Sequence, residues 1–260
     1  MYDDIFWHEQ LSAINKTGDL LLQTWRFNSN PIAHIDYLND QVEDAKGEVG
    51  VGSLGDSDVI DFGCGTGQTL FLLDILFNER STFQYYGINL HNAATWEKNA
   101  LNYGSNVHLY IGDITDPAVL TKNSLAEKKF GAAMCNYTLG HLSYPGMKTF
   151  LRTAFRCLQD SGIFVMWDIA PASHAFDQIL GYNLRHPSEV VRELKEAGFT
   201  NIERRVYSNA VIAESAEAVM SKADLDAFKT RTIPVLYMAE KPTVLYTTGA
   251  PNGEGKEWTN

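Results

Sequence analysis

The amino-acid sequence predicts an α/β fold, in which a mostly parallel sheet of seven strands carries helices on both faces and an N-terminal helical cap. Beyond residue 58, short apolar segments alternate with longer segments of helical periodicity. A loop with four glycines, at 47–55, separates this alternating region from residues 1–45. Apolar strands that alternate with helices are typical of a parallel sheet covered on both faces.

The elements follow one another regularly along the chain. Residues 1–45 are predicted to be helical because their apolar positions lie three to six residues apart, with a break at 28–31. The apolar segments predict strands at 58–62, 83–90, 107–111, 131–137, 162–169, 200–208 and 233–240. Helices are predicted near 67–78, 92–103, 116–128, 146–158, 187–198 and 213–229.

These elements divide the chain into three parts. We expect an N-terminal cap or lid over residues 1–50 and one α/β domain over residues 51–242. A helical insertion is expected at about 209–232 within this domain, and residues 243–260 form a C-terminal extension. Ligands of such sheets bind at the carboxyl ends of the strands, so the residues that follow each strand are the candidates for function.

The composition narrows the classes of function. The chain has 260 residues, of which 45% are hydrophobic and 20% are charged, and this excludes a disordered or collagen-like protein. A net charge of −11 without a run of Lys or Arg argues against a nucleic-acid or anionic-membrane surface. Three cysteines without a CxxC pair argue against a disulfide framework or a zinc site. The sequence therefore predicts a cytoplasmic protein without a metal.

The strongest local signal is a glycine-rich turn between the first strand and the first helix of the domain. Residues 61–67 are DFGCGTG, so the glycines stand at alternate positions. Glycine allows a tight turn and close approach of a ligand to the backbone. This spacing does not match the GxGxxG fingerprint of NAD(P)-dependent enzymes, which is a point against that class.

Residues 61–67 resemble the first motif of the class I S-adenosylmethionine-dependent methyltransferases, D/E-x-G-x-G-x-G, at every specified position. The resemblance continues in order over residues 55–208 and 233–242. Its further segments are 87–90 (GINL), 112–114 (GDI), 130–142, 157–164 (CLQDSGIF) and 194–199 (LKEAGF). The resemblance implies a Rossmann-like fold, S-adenosyl-L-methionine as cofactor and methyl transfer to a small-molecule acceptor.

The resemblance also implies which residues bind the cofactor. The backbone at Gly63, Cys64 and Gly65 would carry its methionine part. Asp61 would hold the ammonium group, and the alternative is that Asp61 caps the following turn. The remaining cofactor-binding candidates all follow the second, third or fourth strand: Asn89, Leu90, Asp113, Ile114 and Asn136.

The second and third strands each end in a residue with a specific role in the family. Asp113 would accept a hydrogen bond from the adenine amino group, with Ile114 against the ring; alternatively, Asp113 caps a helix at 116–128. Asn89 departs from the family, which commonly has an acidic residue there to bind the ribose hydroxyls. Residues 87–91 are similar to those of sterol, cyclopropane-fatty-acid and prenyl-diphosphate C-methyltransferases, which is a hint of a carbon acceptor.

The candidates for catalysis follow the fourth strand, where the family places groups that face the acceptor. His141 is the first candidate for a base or an acceptor anchor, and Tyr137 is the second. As alternatives, His141 is a helix-start histidine bonded to backbone, and Tyr137 and Tyr144 are pocket wall. His174 is a lesser candidate. The acceptor pocket is expected beneath residues 1–45 and the connection 171–187, with His141 at its floor.

Two other functions are alternatives to methyl transfer to a small molecule. Enzymes that methylate amino groups of nucleic-acid bases carry a [D/N]-P-P-[Y/F/W] segment after the fourth strand, whereas residues 136–139 are NYTL. The other alternative is a methyltransferase-like domain that binds the cofactor or assembles with a partner without turnover. Calorimetry with S-adenosylmethionine would distinguish this module from the enzyme. A homo-oligomer is possible, and the sequence leaves the oligomeric state open.

Overall fold

The computed structural model describes residues 58–65, 67, 70, 84–91, 106–173, 178–179, 182–206 and 222–243. The predicted N-terminal cap, the C-terminal extension beyond residue 243 and the predicted helix at 92–103 lie outside these residues. Of the predicted helix at 67–78, only residues 67 and 70 are described. Of the predicted helix at 213–229, only residues 222–229 are described. Among the described residues, no helix has the length and apolar character that a membrane span requires.

Seven strands form one sheet in the order β3-β2-β1-β4-β5-β9-β8, which confirms the predicted fold class. The strands are β1 (Val59–Phe62), β2 (Tyr85–Asn89), β3 (Val107–Ile111), β4 (Phe130–Asn136), β5 (Leu158–Pro171), β8 (Thr200–Val206) and β9 (Thr232–Glu240). The first five pair in parallel, and β9 runs antiparallel to both β5 and β8. All seven strands lie within a few residues of their predicted positions.

The central strands of the sheet are buried on both faces, as their apolar residues require. Ile60, Phe62 and Ile88 belong to the largest core cluster on one face. Tyr85 and Met134 belong to a second cluster, which Val59 contacts. Successive residues of a strand point to opposite faces, so β1 contributes to both clusters in turn.

Four helices are described: α1 (Val119–Lys122), α2 (Tyr144–Cys157), α3 (Pro187–Ala197) and α4 (Lys222–Arg231). Ser143 caps α2, because its hydroxyl accepts a hydrogen bond from the Gly146 backbone N–H. A capping box of His186 and Glu189 begins α3. Gly198, with a φ of 110°, ends α3 in the left-handed region that glycine adopts without strain.

The prediction of a helix over 116–128 is wrong in length, since only Val119–Lys122 is helical. The Asn123 side chain donates to the carbonyl oxygen of Val119 and so competes for a bond of the helix. Ser124 has a φ of 59°, which no α-helix accommodates. The helix therefore ends after one turn.

Two small elements near the end of β4 were not predicted. A 3₁₀ turn, Leu139–His141, follows β4 directly. A hairpin of β6 (Gln178–Ile179) and β7 (Tyr182–Asn183) follows β5. Strands of two residues are too short to produce an alternating pattern in the sequence.

Candidate functional site

The strand order reverses between β1 and β4, and parallel sheets bind ligands in the crevice at such a point. Asp61 lies near the carboxyl end of β1, and Asn136 is the last residue of β4. Asp61 pairs with Met134, and Asn136 stands two residues further along the same strand. The two polar side chains therefore project from the same face at the mouth of the crevice.

The glycine-rich turn lies beside this crevice and exposes its backbone there. Gly63, Gly65 and Gly67 have φ values of 77°, 54° and 77°, which side-chain-bearing residues rarely adopt. A Cβ on Gly63 would lie 2.3 Å from Oγ1 of Thr138, so glycine is required for packing. A Cβ on Gly65 would meet no atom of the described residues within 4 Å. The turn thus leaves open space over Gly65 in which a ligand can contact the backbone.

Asp61 has the electrostatic features of a binding residue. Its side chain is 2% exposed, and its Oδ1 atom has no hydrogen-bond partner among the described residues. Burial raises the pKa of this carboxyl to about 7. Oδ1 of Asn136 is likewise buried without a partner there. Because such oxygens are costly to bury, both indicate a donor supplied by a ligand. The alternative, that Asp61 caps the following turn, has no support at Oδ1, which accepts no hydrogen bond from the described residues.

The ends of β2 and β3 form the next part of the site. The Asn89 side-chain amide donates to the carbonyl oxygen of His91 at 2.9 Å, which orients the side chain of Asn89. Leu90 is 54% exposed and Ile111 is 56% exposed. Asn89 and Ile111 are paired across the two strands, so an exposed apolar surface adjoins a polar group. Ile111 was missed by sequence reasoning, although its place as the apolar last residue of a strand was a usable signal.

Asp113, which is predicted to bind the adenine, has a local structural role. Its Oδ1 atom accepts hydrogen bonds from the backbone N–H and the hydroxyl of Thr115, at 2.8 and 2.7 Å. The alternative of a cap is thus realised, but for the turn before α1 rather than for a long helix. Ile114 is 6% exposed and belongs to the largest core cluster, so only an edge of its side chain faces solvent.

Cys64 contributes its backbone to the turn rather than its thiol. A Cβ on Gly87 would lie 2.6 Å from the Cys64 sulfur, so the side chain points into the sheet. Burial, and then the nearby charge of Asp61, raises the pKa of this thiol. Cys64, Cys135 and Cys157 are all free thiols.

The chain turns sharply at the end of β4. Tyr137 has a φ of 50°, and its backbone N–H donates to the carbonyl oxygen of Trp167 at 2.8 Å. Its ring packs against the apolar cluster of Val165, Trp167, Leu236 and Met238. The Thr138 hydroxyl donates to the carbonyl oxygen of Asn136 and lies against Gly63. Sequence reasoning missed Thr138, whose place directly after the predicted strand was the available signal.

His141 ends the 3₁₀ turn, and its backbone N–H donates to the carbonyl oxygen of Thr138 at 3.0 Å. Burial lowers the pKa of its imidazole to about 4, so the ring is neutral at pH 7. A neutral imidazole is able to accept a proton. Tyr144, by contrast, donates its hydroxyl to Glu193 and thereby joins α2 to α3. His174 lies outside the described residues.

The described part of the 171–187 connection contacts this turn. The Asn183 amide donates to the carbonyl oxygen of Gly140 at 3.1 Å, and Arg185 donates to that of Leu142 at 2.9 Å. The described part of the connection therefore lies against the turn that carries His141. The N-terminal segment predicted to cover both lies outside the described residues. Within the described part of the chain, no three His, Cys, Asp or Glu side chains form a metal-binding group.

The comparisons with known proteins agree with this geometry. A family model for a methyltransferase domain matches residues 55–224, which is more than half of the chain. No curated protein matches the chain in sequence. The solved structures that resemble it are distant in sequence, so their likeness establishes the fold.

Three such structures have TM-scores between 0.55 and 0.59. The [4+2]-cyclase SpnF is 18% identical, with 73% of this chain and 76% of that chain covered and a TM-score of 0.57. Geranyl diphosphate C-methyltransferase from Streptomyces coelicolor is 15% identical, with 80% and 78% covered and a TM-score of 0.59. The 1,6-didemethyltoxoflavin-N1-methyltransferase from Burkholderia thailandensis is 16% identical, with 92% and 88% covered and a TM-score of 0.55.

Proposed function

This chain belongs to the family of methyltransferase domains, and we propose that it binds S-adenosylmethionine in the crevice between β1 and β4 and methylates a small molecule. The observation that carries the proposal is the buried Oδ1 atom of Asp61, which has no partner among the described residues. The cofactor has an ammonium and a sulfonium group, and a buried carboxylate favours such cations. The C-methyltransferase from Streptomyces coelicolor and the N1-methyltransferase from Burkholderia thailandensis were each crystallised with S-adenosylhomocysteine, which supports the choice of cofactor.

Each part of the site has its own task toward the cofactor. Asp61 and Asn136 accept hydrogen bonds from its amino-acid part, and the open backbone at Gly65 gives that part room. Asn89 offers its side-chain oxygen to the ribose, because its amide group donates to the carbonyl of His91. Leu90 and Ile111 present an apolar surface for the adenine ring, and the free oxygen of Asp113 accepts from the adenine amino group.

When bound, S-adenosylmethionine would supply an electrophilic methyl group on its sulfonium: an acceptor atom would attack the methyl carbon in line, the C–S bond would break, and S-adenosylhomocysteine would leave. On the acceptor side, His141 is the residue that takes a proton from the acceptor, because its ring is neutral at pH 7. Tyr137, whose ring packs against the apolar cluster around Trp167, forms part of the wall of the acceptor pocket in this proposal. Holding the acceptor in line accounts for most of the rate, as positioning does in other bimolecular transfers.

The acceptor region extends beyond the described residues in this proposal. We place the acceptor beneath residues 1–50, with the domain over 51–242 carrying the cofactor. The geranyl diphosphate and didemethyltoxoflavin enzymes act on small molecules, which supports this class of acceptor. A cytoplasmic location remains part of the proposal.

A second function is favoured by one comparison. The similar structure SpnF is a [4+2]-cyclase, so this fold also serves a protein named for another reaction. The alternative for this chain is a domain that binds the cofactor, or assembles with a partner, without methyl transfer. Formation of S-adenosylhomocysteine from S-adenosylmethionine, measured with a panel of small acceptors, distinguishes turnover from binding alone.

Titration calorimetry with S-adenosylmethionine and S-adenosylhomocysteine tests the site itself. Gly65→Val is expected to abolish binding, because its side chain would fill the open space over the turn. Gly65→Ala has the same positive φ, which costs about 1–2 kcal/mol, but adds only one methyl group. It serves as the control for backbone strain and is expected to weaken binding less. Unchanged affinity in a folded Gly65→Val protein would place the cofactor elsewhere.

A further inference from the structure

The 3₁₀ turn that carries His141 is held from both sides by one segment of the chain. Asn183 donates its side-chain amide to the carbonyl oxygen of Gly140, immediately before the histidine. Arg185 donates to the carbonyl oxygen of Leu142, immediately after it. We refer to Asn183 and Arg185 together as the turn clamp.

A turn of three residues needs such support. A 3₁₀ segment of this length has one turn of hydrogen bonds, and the carbonyl groups at its end have no partner within it. The carbonyl oxygens of Gly140 and Leu142 are groups of this kind, and Gly140 is buried. The clamp satisfies both groups and so fixes the backbone on either side of His141.

Arg185 is itself held in place by the packing of α2 against α3. Its guanidinium lies over the Tyr144 ring, with the central carbon 5.8 Å from the ring centroid. The Tyr144 hydroxyl donates to Glu193, which is 2% exposed. Lys148 and Arg192 also bind the Glu193 carboxylate, at 3.2 and 3.0 Å. The position of the clamp is therefore set by the helices behind it.

We infer that Asn183 and Arg185 are positioning residues that hold the imidazole of His141 in its half-buried place beside the end of β4. The significance of this for catalysis rests on the proposed function, in which His141 takes the proton of the acceptor. The contacts of the turn clamp join residues of the chain itself and involve no ligand. The inference is therefore testable before any acceptor is known.

The test follows the His141 ring by NMR in the full-length protein labelled with ¹³C-histidine, with the signal assigned from its loss in His141→Gln. The wild-type ring is expected to remain neutral down to about pH 4. Asn183→Ala removes one bond of the clamp without changing the charge of the protein. The loosened turn should expose the ring to water and raise its pKa by about one unit or more, toward the ordinary value.

Arg185 requires two variants, because the loss of a cation alone also raises the pKa of a nearby histidine. Arg185→Gln removes the charge and the clamp bond, whereas Arg185→Lys keeps the charge and one donor. The pKa of His141 should rise in the first and stay closer to wild type in the second. Arg156→Gln is the matched control, since it removes a cation from the last turn of α2, where its guanidinium donates to Thr153 and not to the turn that carries His141.

The inference is overturned if Asn183→Ala leaves the pKa of His141 at its wild-type value while the protein remains folded. A merely structural role would lower the melting temperature without moving this pKa. If the alanine variant does not fold, Asn183→Ser, which keeps a shorter donor, takes its place. An unchanged pKa of His141 in that variant overturns the inference in the same way. Calorimetry with S-adenosylmethionine runs in parallel: absence of binding by the wild type would contradict the proposed function and leave the result for the clamp unaffected.

Discussion

At the scale of single residues, the site is defined by polar atoms that the described residues do not satisfy. Oδ1 of Asp61 and Oδ1 of Asn136 are buried at the ends of neighbouring strands, where the described residues offer them no donor. Folded proteins satisfy nearly all such atoms, so these two are best explained by a ligand. Burial raises the pKa of Asp61 to about 7, and this makes cofactor binding sensitive to pH.

We predict that affinity for S-adenosylmethionine increases as the pH rises from 5.5 to 8. Below pH 7 the Asp61 carboxyl of the free protein is protonated, and binding of a cation has to release that proton. The dissociation constant should therefore fall by up to about tenfold per pH unit below pH 7 and level off above it. Calorimetry in two buffers of different ionisation enthalpy measures the proton released.

Asp61→Asn provides the control for this titration and should bind weakly with little dependence on pH. The stability of the free protein gives a second check. The pKa of Asp61 is raised on folding, so its contribution to stability is present below about pH 4 and is lost as the pH rises to about 7. The same pH dependence of binding in wild type and Asp61→Asn would exclude Asp61 as its source.

Asn89→Asp is expected to preserve or tighten cofactor binding, because a carboxylate makes stronger hydrogen bonds to ribose hydroxyls than an amide does. The variant also loses the bond from the Asn89 amide to the carbonyl of His91. That loss should lower stability by about 0.5–1.5 kcal/mol. Calorimetry and thermal unfolding measure the two effects separately. Asn89→Ala, which lacks both polar atoms, should lose affinity; a clear loss in Asn89→Asp as well would contradict a contact with the ribose.

At the scale of elements, the sequence predicted what depends on repeated apolar positions and missed what depends on single side chains. Most of the seven strands were predictable because they are short apolar segments bounded by polar residues; β8 is the exception, since its residues are mostly polar and exposed. The length of α1 was not, since it ends where Asn123 and Ser124 take conformations that a pattern does not reveal. The hairpin of β6 and β7 was likewise missed, although it places Asn183 beside the turn of His141.

The packing of α2 against α3 depends on Glu193, a buried carboxylate with three donors. Burial alone would raise its pKa, but hydrogen bonds from Tyr144, Arg192 and Lys148 outweigh this effect and lower it. Its contribution to stability is therefore present above about pH 4.5 and is lost as the pH falls through its folded pKa. Glu193→Gln should lower the free energy of unfolding at pH 7 by about 1–3 kcal/mol, and by less at pH 4.

Urea unfolding at both pH values measures this difference. Glu196→Gln is the matched control, because Glu196 lies on the same helix and also contacts Lys148, but its side chain is 48% exposed. A pair of this kind contributes about 0–1 kcal/mol. Equal effects of the two substitutions would mean that burial of Glu193 adds nothing to the contact between the helices.

At the scale of the whole molecule, the reversal of strand order divides the domain into two halves. Asp61, Asn89 and Asp113 stand at or just beyond the ends of β1, β2 and β3, where we propose that the cofactor binds. Tyr137 and His141 follow β4, where we propose that the acceptor binds. The sequence predicted which strand each of these residues follows, because the motifs have a fixed order along the chain. It did not predict which oxygens lack partners, since that depends on distances between strands.

We predict from this division that cofactor affinity and methyl transfer are lost through different substitutions. His141→Ala should leave the dissociation constant for S-adenosylmethionine within about twofold of wild type, because the histidine lies beyond β4 and its ring is neutral at pH 7. Methyl transfer should fall by about 10²–10⁴-fold, the usual contribution of a general base. Release of S-adenosylhomocysteine with an accepted small molecule measures the second effect, and calorimetry measures the first. Wild-type turnover in His141→Ala would remove His141 from the chemistry, whereas a large loss of cofactor affinity would mean that the two halves are not separate.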